Sequence, residues 1–235
     1  MQRGLFIFLI LILSSAHQAF SQGVQNLPPL PNGATANAVQ IDSAGNIYVA
    51  GNTLPYPQPT ETISHAVVGK LSPDGTKVIW WTQLAGSMSD SATVLALGSD
   101  HSVYVAGSTT SPDFPTTPGS FQPKMASANV QAFAVKLDPA GKVVYSTFLG
   151  GSADTLSYGI VVDALGDAFI TGSAQGAIPT SPGAVGGAAS PQFASGYVIK
   201  LNPAGTSAPV AINGLGGNAI ALDAAGNIYA AGNFV

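Results

Sequence analysis

Seven Lys or Arg and eleven Asp or Glu are spread over 235 residues, so each charged side chain can be weighed singly. Asp90 and Asp154 lie in short Gly/Ser-containing segments, 86–91 and 150–155, with Asn218 at the corresponding place further on. A carboxylate in such a connection can act as acid, base or ligand contact. It can equally fix a turn by accepting backbone N–H bonds. Asp42, Asp163 and Asp223 each open a D-x-x-G turn, and Gly98 takes that place in the remaining copy. An Asx-turn accounts for them, because the alternating carboxylates of an EF-hand loop are missing. Lys70, Lys136 and Lys200 recur at one position. Three ammonium groups around a channel would attract an anion, whereas a carboxylate pair at an exposed strand end is worth under ~1 kcal/mol. Trp80-Trp81 offers either a sugar-stacking platform or one ring in the core and one at an interface, since neighbours on a strand face opposite ways. His65 and His101 have no second ligand at H-x-x-x-H or H-E-x-x-H spacing. There is no G-x-S-x-G elbow, and the glycines of 214–217 follow no βαβ unit. These residues assign no catalytic group, metal site or cofactor. The binding candidates they leave are Asp90, Asp154, Trp80 and Trp81.

The elements that position them repeat along the chain. IDSAGNIYVAG (41–51), LGSDHSVYVAG (97–107), VDALGDAFITG (162–172) and LDAAGNIYAAG (222–232) are four copies of one pattern. Between them recur VGKLSPDG (68–75), VKLDPAG (135–141) and IKLNPAG (199–205), the first two followed by KVIWWTQL and KVVYSTFL. Val, Ile, Tyr, Phe and Trp fill the runs and Pro, Gly, Asp and Asn the gaps, which is strand-and-turn composition. Each unit therefore reads as four short antiparallel strands. Ile47 and Val49 point one way and Tyr48 and Ala50 the other, so both sheet faces want burial. Sheets stacked face to face about an axis meet that demand, and four-stranded units so stacked are propeller blades. The expected fold is an all-β propeller with units at about 36–87, 88–152 and 153–217 and a partial unit at 218–235. Closed propellers have four to eight blades. Three and a half imply a longer ring, or self-association to complete one. Length varies most between the second and third strands, which places variable loops on one face of the disc.

Arg3, the apolar run 5–13 and the small residues Ala19 and Ser21 have the order of a secretory signal peptide cut after Ser21. Nine apolar residues are too few to span a bilayer, so no membrane attachment is expected after cleavage. Residues 22–35, rich in Pro and Gly, read as a linker. The absence of Cys removes disulfides, thiolate metal sites and a lipidated N-terminus. A formal charge of −4 argues against a nucleic-acid partner.

The stretches VAGSTTSPDFPTTPGSFQ (105–122), AFAVKL (132–137) and VYSTFLGG (144–151) resemble the bacterial β-propeller repeat family called SBBP. The likeness is fullest in the second unit and extends over about 36–235. It implies an exported bacterial protein built of propeller repeats, and carries no catalytic residue over. The expectation is a secreted or periplasmic binding or scaffold module. Its partner would be a polysaccharide, a surface protein or another domain of a longer chain. The alternative is a propeller lyase or hydrolase with its site at the central channel.

Overall fold

The computed structural model describes residues 8–9, 25–26, 30–53, 63–176, 178–183, 195–214 and 217–232. Apart from β1 (Phe8–Leu9), which pairs with β2 (Gln25–Asn26), the expected signal segment and its cleavage position lie outside the described residues. So does the loop 54–62 of the first unit. No helix among the described residues is long and apolar enough to cross a membrane.

Three antiparallel four-stranded sheets and one two-stranded sheet follow in chain order. Blade 1 is β3 (Thr35–Ile41), β4 (Ile47–Asn52), β5 (Ala66–Leu71) and β6 (Val78–Leu84). Blade 2 is β7 (Asp90–Leu97), β8 (Val103–Thr109), β9 (Gln131–Leu137) and β10 (Val143–Phe148). Blade 3 is β11 (Thr155–Val162), β12 (Ala168–Ala174), β13 (Ser195–Leu201) and β14 (Val210–Asn213). The half-blade is β15 (Ala219–Leu222) and β16 (Ile228–Ala231). In each sheet neighbours in sequence are neighbours in space. The first strands β3, β7, β11 and β15 pack on one another in order. This is the fold of a β-propeller, with those four as its inner strands.

Burial on both faces follows from the stacking. Tyr48, Ala50, Val68 and Leu84 on the front of blade 1 meet Val103, Val105, Phe133, Val135 and Phe148 on the back of blade 2. Tyr104, Ala106, Ala134 and Tyr145 on the front of blade 2 meet Ile170, Tyr197, Ile199 and Leu201 on the back of blade 3. A bulge interrupts β3, β7 and β11 at the same place, after Ala36, Ala92 and Ser157. An extra residue re-aims its side chain. Asn37 thereby donates to the Ala92 carbonyl of the next inner strand at 2.9 Å, and Thr93 to that of Ser157 at 3.0 Å.

The back of blade 1 has no preceding blade among the described residues. Leu30 and Ala34, either side of a 3-10 turn at Pro31–Gly33, cover it together with Trp81. Residues 30–34 thus pack as a cap, where the sequence suggested only a linker. The loop after β8 also departs from expectation. It runs beside the outer strand β10, with Thr117 N–H on the Ser146 carbonyl at 3.0 Å and Phe148 N–H on that of Gln122 at 3.0 Å. It covers a sheet edge that would otherwise be open to pairing. Phe114 stacks on Phe133, 4.4 Å between centroids, and Phe121 N–H reaches the Gly205 carbonyl of blade 3.

Candidate functional site

The two ends of the inner strands differ. At the starting end of β7, Asp90 is fully buried. Its carboxylate accepts from the Gly86 N–H at 2.8 Å and the Thr109 hydroxyl at 2.5 Å. His65 Nδ1 stands 3.6 Å away, an ion-pair distance rather than a hydrogen bond. Sequence spacing matched Asp90 with Asp154. Strand register matches it with Thr155, the first residue of β11, whose hydroxyl accepts from Gly151 N–H at 3.3 Å. At the place of His65, Gln131 is buried and donates to the Gly151 and Ala153 carbonyls. Asp154 sits one residue earlier, accepting from Val130 N–H at 3.2 Å through its side chain and from Gln175 N–H through its carbonyl. Both carboxylates therefore bind the connection to the adjoining strands.

Trp80 and Trp81 face opposite ways across β6, as alternation requires. Trp80 donates from Nε1 to the Pro139 carbonyl at 3.0 Å and lies on Gly141. Both belong to the third-to-fourth-strand turn of blade 2. Tyr145, at the register of Trp80, lies in the same way on Gly205 of blade 3. Gly141 and Gly205 have φ of 83° and 68°, and a Cβ on either would strike the ring within 2.6 Å, so these turns need glycine twice over. Trp81 lies on Gly69 of its own sheet, and its Nε1 is sealed from solvent without an acceptor. Both indoles are half-buried and packed on a glycine, Trp80 across the seam and Trp81 within its own sheet.

The recurring Lys form a motif that spacing only half revealed. Each ammonium sits about 5 Å over the aromatic ring opposite it: Lys70 on Tyr48, Lys136 on Tyr104 and Lys200 on Phe169. Each also reaches a carboxylate in the first turn of its blade: Asp42 at 3.9 Å, Asp100 at 3.7 Å and Asp167 at 2.7 Å. The acid occupies the first, third and fifth turn position in turn, which is why no alignment of Asp residues exposes it. These Lys are consumed in cation–π and ion-pair contacts. Asp42, Asp163 and Asp223 accept two backbone N–H bonds each, completing Asx-turns. Burial works against the Asp42 carboxylate. Bonds from Asn46, Tyr48 and Ala44 outweigh it and hold the group below the usual aspartate range.

At the finishing end of the inner strands a cavity of about 580 Å³ opens on the axis. Gln40 to Ser43, Ala96 to Ser99, Ile160 to Val162 and Leu222 line it, with His101 on its rim. Its lining is apolar at Ile41, Leu97, Ile160 and Val162 and polar at Gln40, Asp42, Ser43, Ser99 and His101. His101 is the single non-glycine residue with positive φ among the described residues, at 62°. The matching positions in the other first turns are Gly45, Gly166 and Gly226. An L side chain there costs of order 1 kcal/mol, and such strain gathers at functional sites. The cavity takes in none of Asp90, Asp154, Trp80 and Trp81. Its signal in the sequence is His101 standing in the glycine slot. No group of three or more metal-ligating side chains occurs among the described residues.

A comparison with family models gives no match, and neither does one with curated proteins. Among solved structures, a gluconolactonase from Xanthomonas campestris is similar, with a TM-score of 0.44 and 19% identity over 90% of this chain. The chain spans 59% of that protein's length.

Proposed function

We propose that the chain is an exported propeller-repeat module of the SBBP type that binds a ligand at the axial cavity. The observation that carries this is His101. A histidine with left-handed backbone lines the cavity where every other described first turn uses glycine. The ligand contacts would be short polar groups around an apolar throat, which suits one end of a polysaccharide chain or a loop of a surface protein. Asp90, Asp154 and the two Trp serve the blade connections, seams and cap, and leave the cavity as the binding surface. The test is a glycan and protein binding screen with the wild-type chain and His101→Gly. The reading requires a ligand whose affinity falls at least tenfold in the variant. It fails if every ligand found binds both chains equally.

A propeller hydrolase or lyase remains the second reading, and the same rim supports it. Asp42, held ionised, and His101 both border the cavity. Incubation with a panel of acidic and neutral polysaccharides, followed by assays of new reducing ends and unsaturated products, separates the two. Turnover abolished by His101→Gly supports the enzyme, and binding without turnover supports the module.

A further inference from the structure

The fourth strands of the three blades are treated differently. In blade 2 the loop after β8 straps the outer edge of β10. Thr117 N–H donates to the Ser146 carbonyl at 3.0 Å, and the Thr117 hydroxyl accepts from Ser146 N–H at 3.1 Å. Further along, Phe148 N–H meets the Gln122 carbonyl at 3.0 Å and Gln122 N–H meets the Thr147 hydroxyl at 2.8 Å. Blade 3 uses the same device. Ser181 N–H reaches the Ala208 carbonyl at 3.3 Å, and Ala208 N–H reaches the Ser181 hydroxyl at 2.8 Å. In both straps the hydroxyl residue stands just before Pro-Gly, at 118–119 and 182–183.

Blade 1 has no such strap among the described residues. Its stretch from second to third strand is ten residues shorter than that of blade 2 and contains no Pro-Gly. Register sets Trp81 at the place of Ser146 and Gln83 at that of Phe148. Backbone direction alternates along a strand, so Trp81 and Gln83 turn their N–H and carbonyl groups outward, where no described residue bonds them. Burial records the difference. Tyr145, Ser146, Thr147 and Phe148 are all buried, whereas Trp80, Trp81 and Thr82 are half-buried and Gln83 is exposed. The Trp81 ring leans inward over Gly69 and leaves the edge clear. Thr82 keeps the hydroxyl with which Thr147 receives the strap. It donates to the Gly141 carbonyl at 2.6 Å and can still accept an N–H. Val78–Leu84 has neither the charge nor the proline that commonly guards an open edge.

We propose that the outer edge of β6 docks an extended segment of a partner protein, of the kind that straps blades 2 and 3: uncharged at its centre, with Thr or Ser before Pro-Gly. The segment adds to the sheet as a fifth strand. Backbone bonds at Trp81 and Gln83 hold it, and its Thr or Ser hydroxyl receives the Trp81 N–H. The straps of this chain are engaged within their own blades, so the segment comes from another protein.

The probe is a capped synthetic peptide of residues 113–122, DFPTTPGSFQ. It contains no tryptophan, and both tryptophans of the protein lie on β6, so their fluorescence reports its arrival. Titration into the purified chain should give a saturable change. Thr117→Pro in the peptide removes the N–H and the hydroxyl that make the paired bonds, and should weaken binding at least tenfold. Gln83→Pro in the protein removes one outward N–H, a place where an edge strand tolerates proline, and should weaken it as much. Circular dichroism confirms that this variant keeps its sheet, and if it does not fold the peptide change decides. The proposal is overturned if the peptide leaves the fluorescence unchanged, or if either substitution, in a folded chain, leaves binding as tight. It is overturned too if light scattering finds the wild-type chain as a dimer that Gln83→Pro separates, because a second copy then occupies the edge.

Discussion

Compare the start and the finish of the inner strands. At the start, Asp90, Thr155 and Gln131 bury their polar atoms in the connections between blades. At the finish, turns of the same chain stand back from the axis and leave a lined cavity. Both ends carry carboxylates, and the difference lies in what faces them. Asp90 meets the Gly86 N–H and the Thr109 hydroxyl and is fully buried, and Asp42 is likewise bonded by its own turn, but the finishing end also keeps a histidine of left-handed backbone at an open cavity. Carboxylates near a propeller axis therefore do not mark a site by themselves, since at both ends the fold supplies their donors.

Substitutions sharpen that contrast. The largest effect is expected from Asp90→Ala, which strands the Gly86 N–H and the Thr109 hydroxyl in a buried place and should cost about 3 kcal/mol. Urea unfolding followed by tryptophan fluorescence checks it, and a loss below ~1 kcal/mol would undo the sealed-end reading. Thr155→Ala removes the equivalent neutral partner and should cost about 1 kcal/mol in the same assay. His101→Gly has the opposite sign. It relieves the left-handed strain and should gain up to about 1 kcal/mol, partly offset by the freedom glycine adds to the unfolded chain. A stability gain joined to a loss of binding would separate the two ends most clearly.

The smallest effect is the acid limb. Burial opposes charge at Asp42 and Asp100, but hydrogen bonds from Asn46 and Tyr48 to the first and from Ser102 to the second, with Lys136 nearby, leave both carboxyls lowered. Asp74, bonded by Ser72 and Thr76, is lowered to about 2. A depressed carboxyl contributes stability that is full above the unfolded value near 4 and is lost as pH falls through the folded value. Amide exchange in the turns that hold these three carboxylates should rise as pH falls below about 4. Flat exchange across that window would mean these bonds add nothing.

Much of the fold was legible because its signals are local. Asp and Gly three apart mark three of the four first turns, Pro-x-Gly marks the later ones, and β-branched runs between them mark strands. Residues 47–52 and 66–71 are strands within one position of where the pattern puts them. What escaped depends on which blade packs where. The loop at 111–122 was expected among the variable loops on one face of the disc, but binds along β10 and reaches blade 3. Its Phe114 and Phe121 were the available clue, since two aromatic rings in a twelve-residue stretch need cover. Register, and not spacing, set Asp90 against Thr155, because the counterpart of Gly86 is Gly151 and not Gly150: Gly86 N–H meets Asp90 as Gly151 N–H meets Thr155. The cavity was invisible as a shape, although His101 in a glycine slot pointed to its rim.

The aromatic resting on the next blade's turn bears on how the protein comes into being. Trp80 and its acceptor Pro139 are 59 residues apart. While the chain is being synthesised, blade 1 can pair its four strands and still lack the floor for its outermost ring. That floor arrives only after nearly a full further repeat has left the ribosome. Each blade thus waits one unit for its successor, and order advances along the nascent chain as a wave that trails synthesis by one blade.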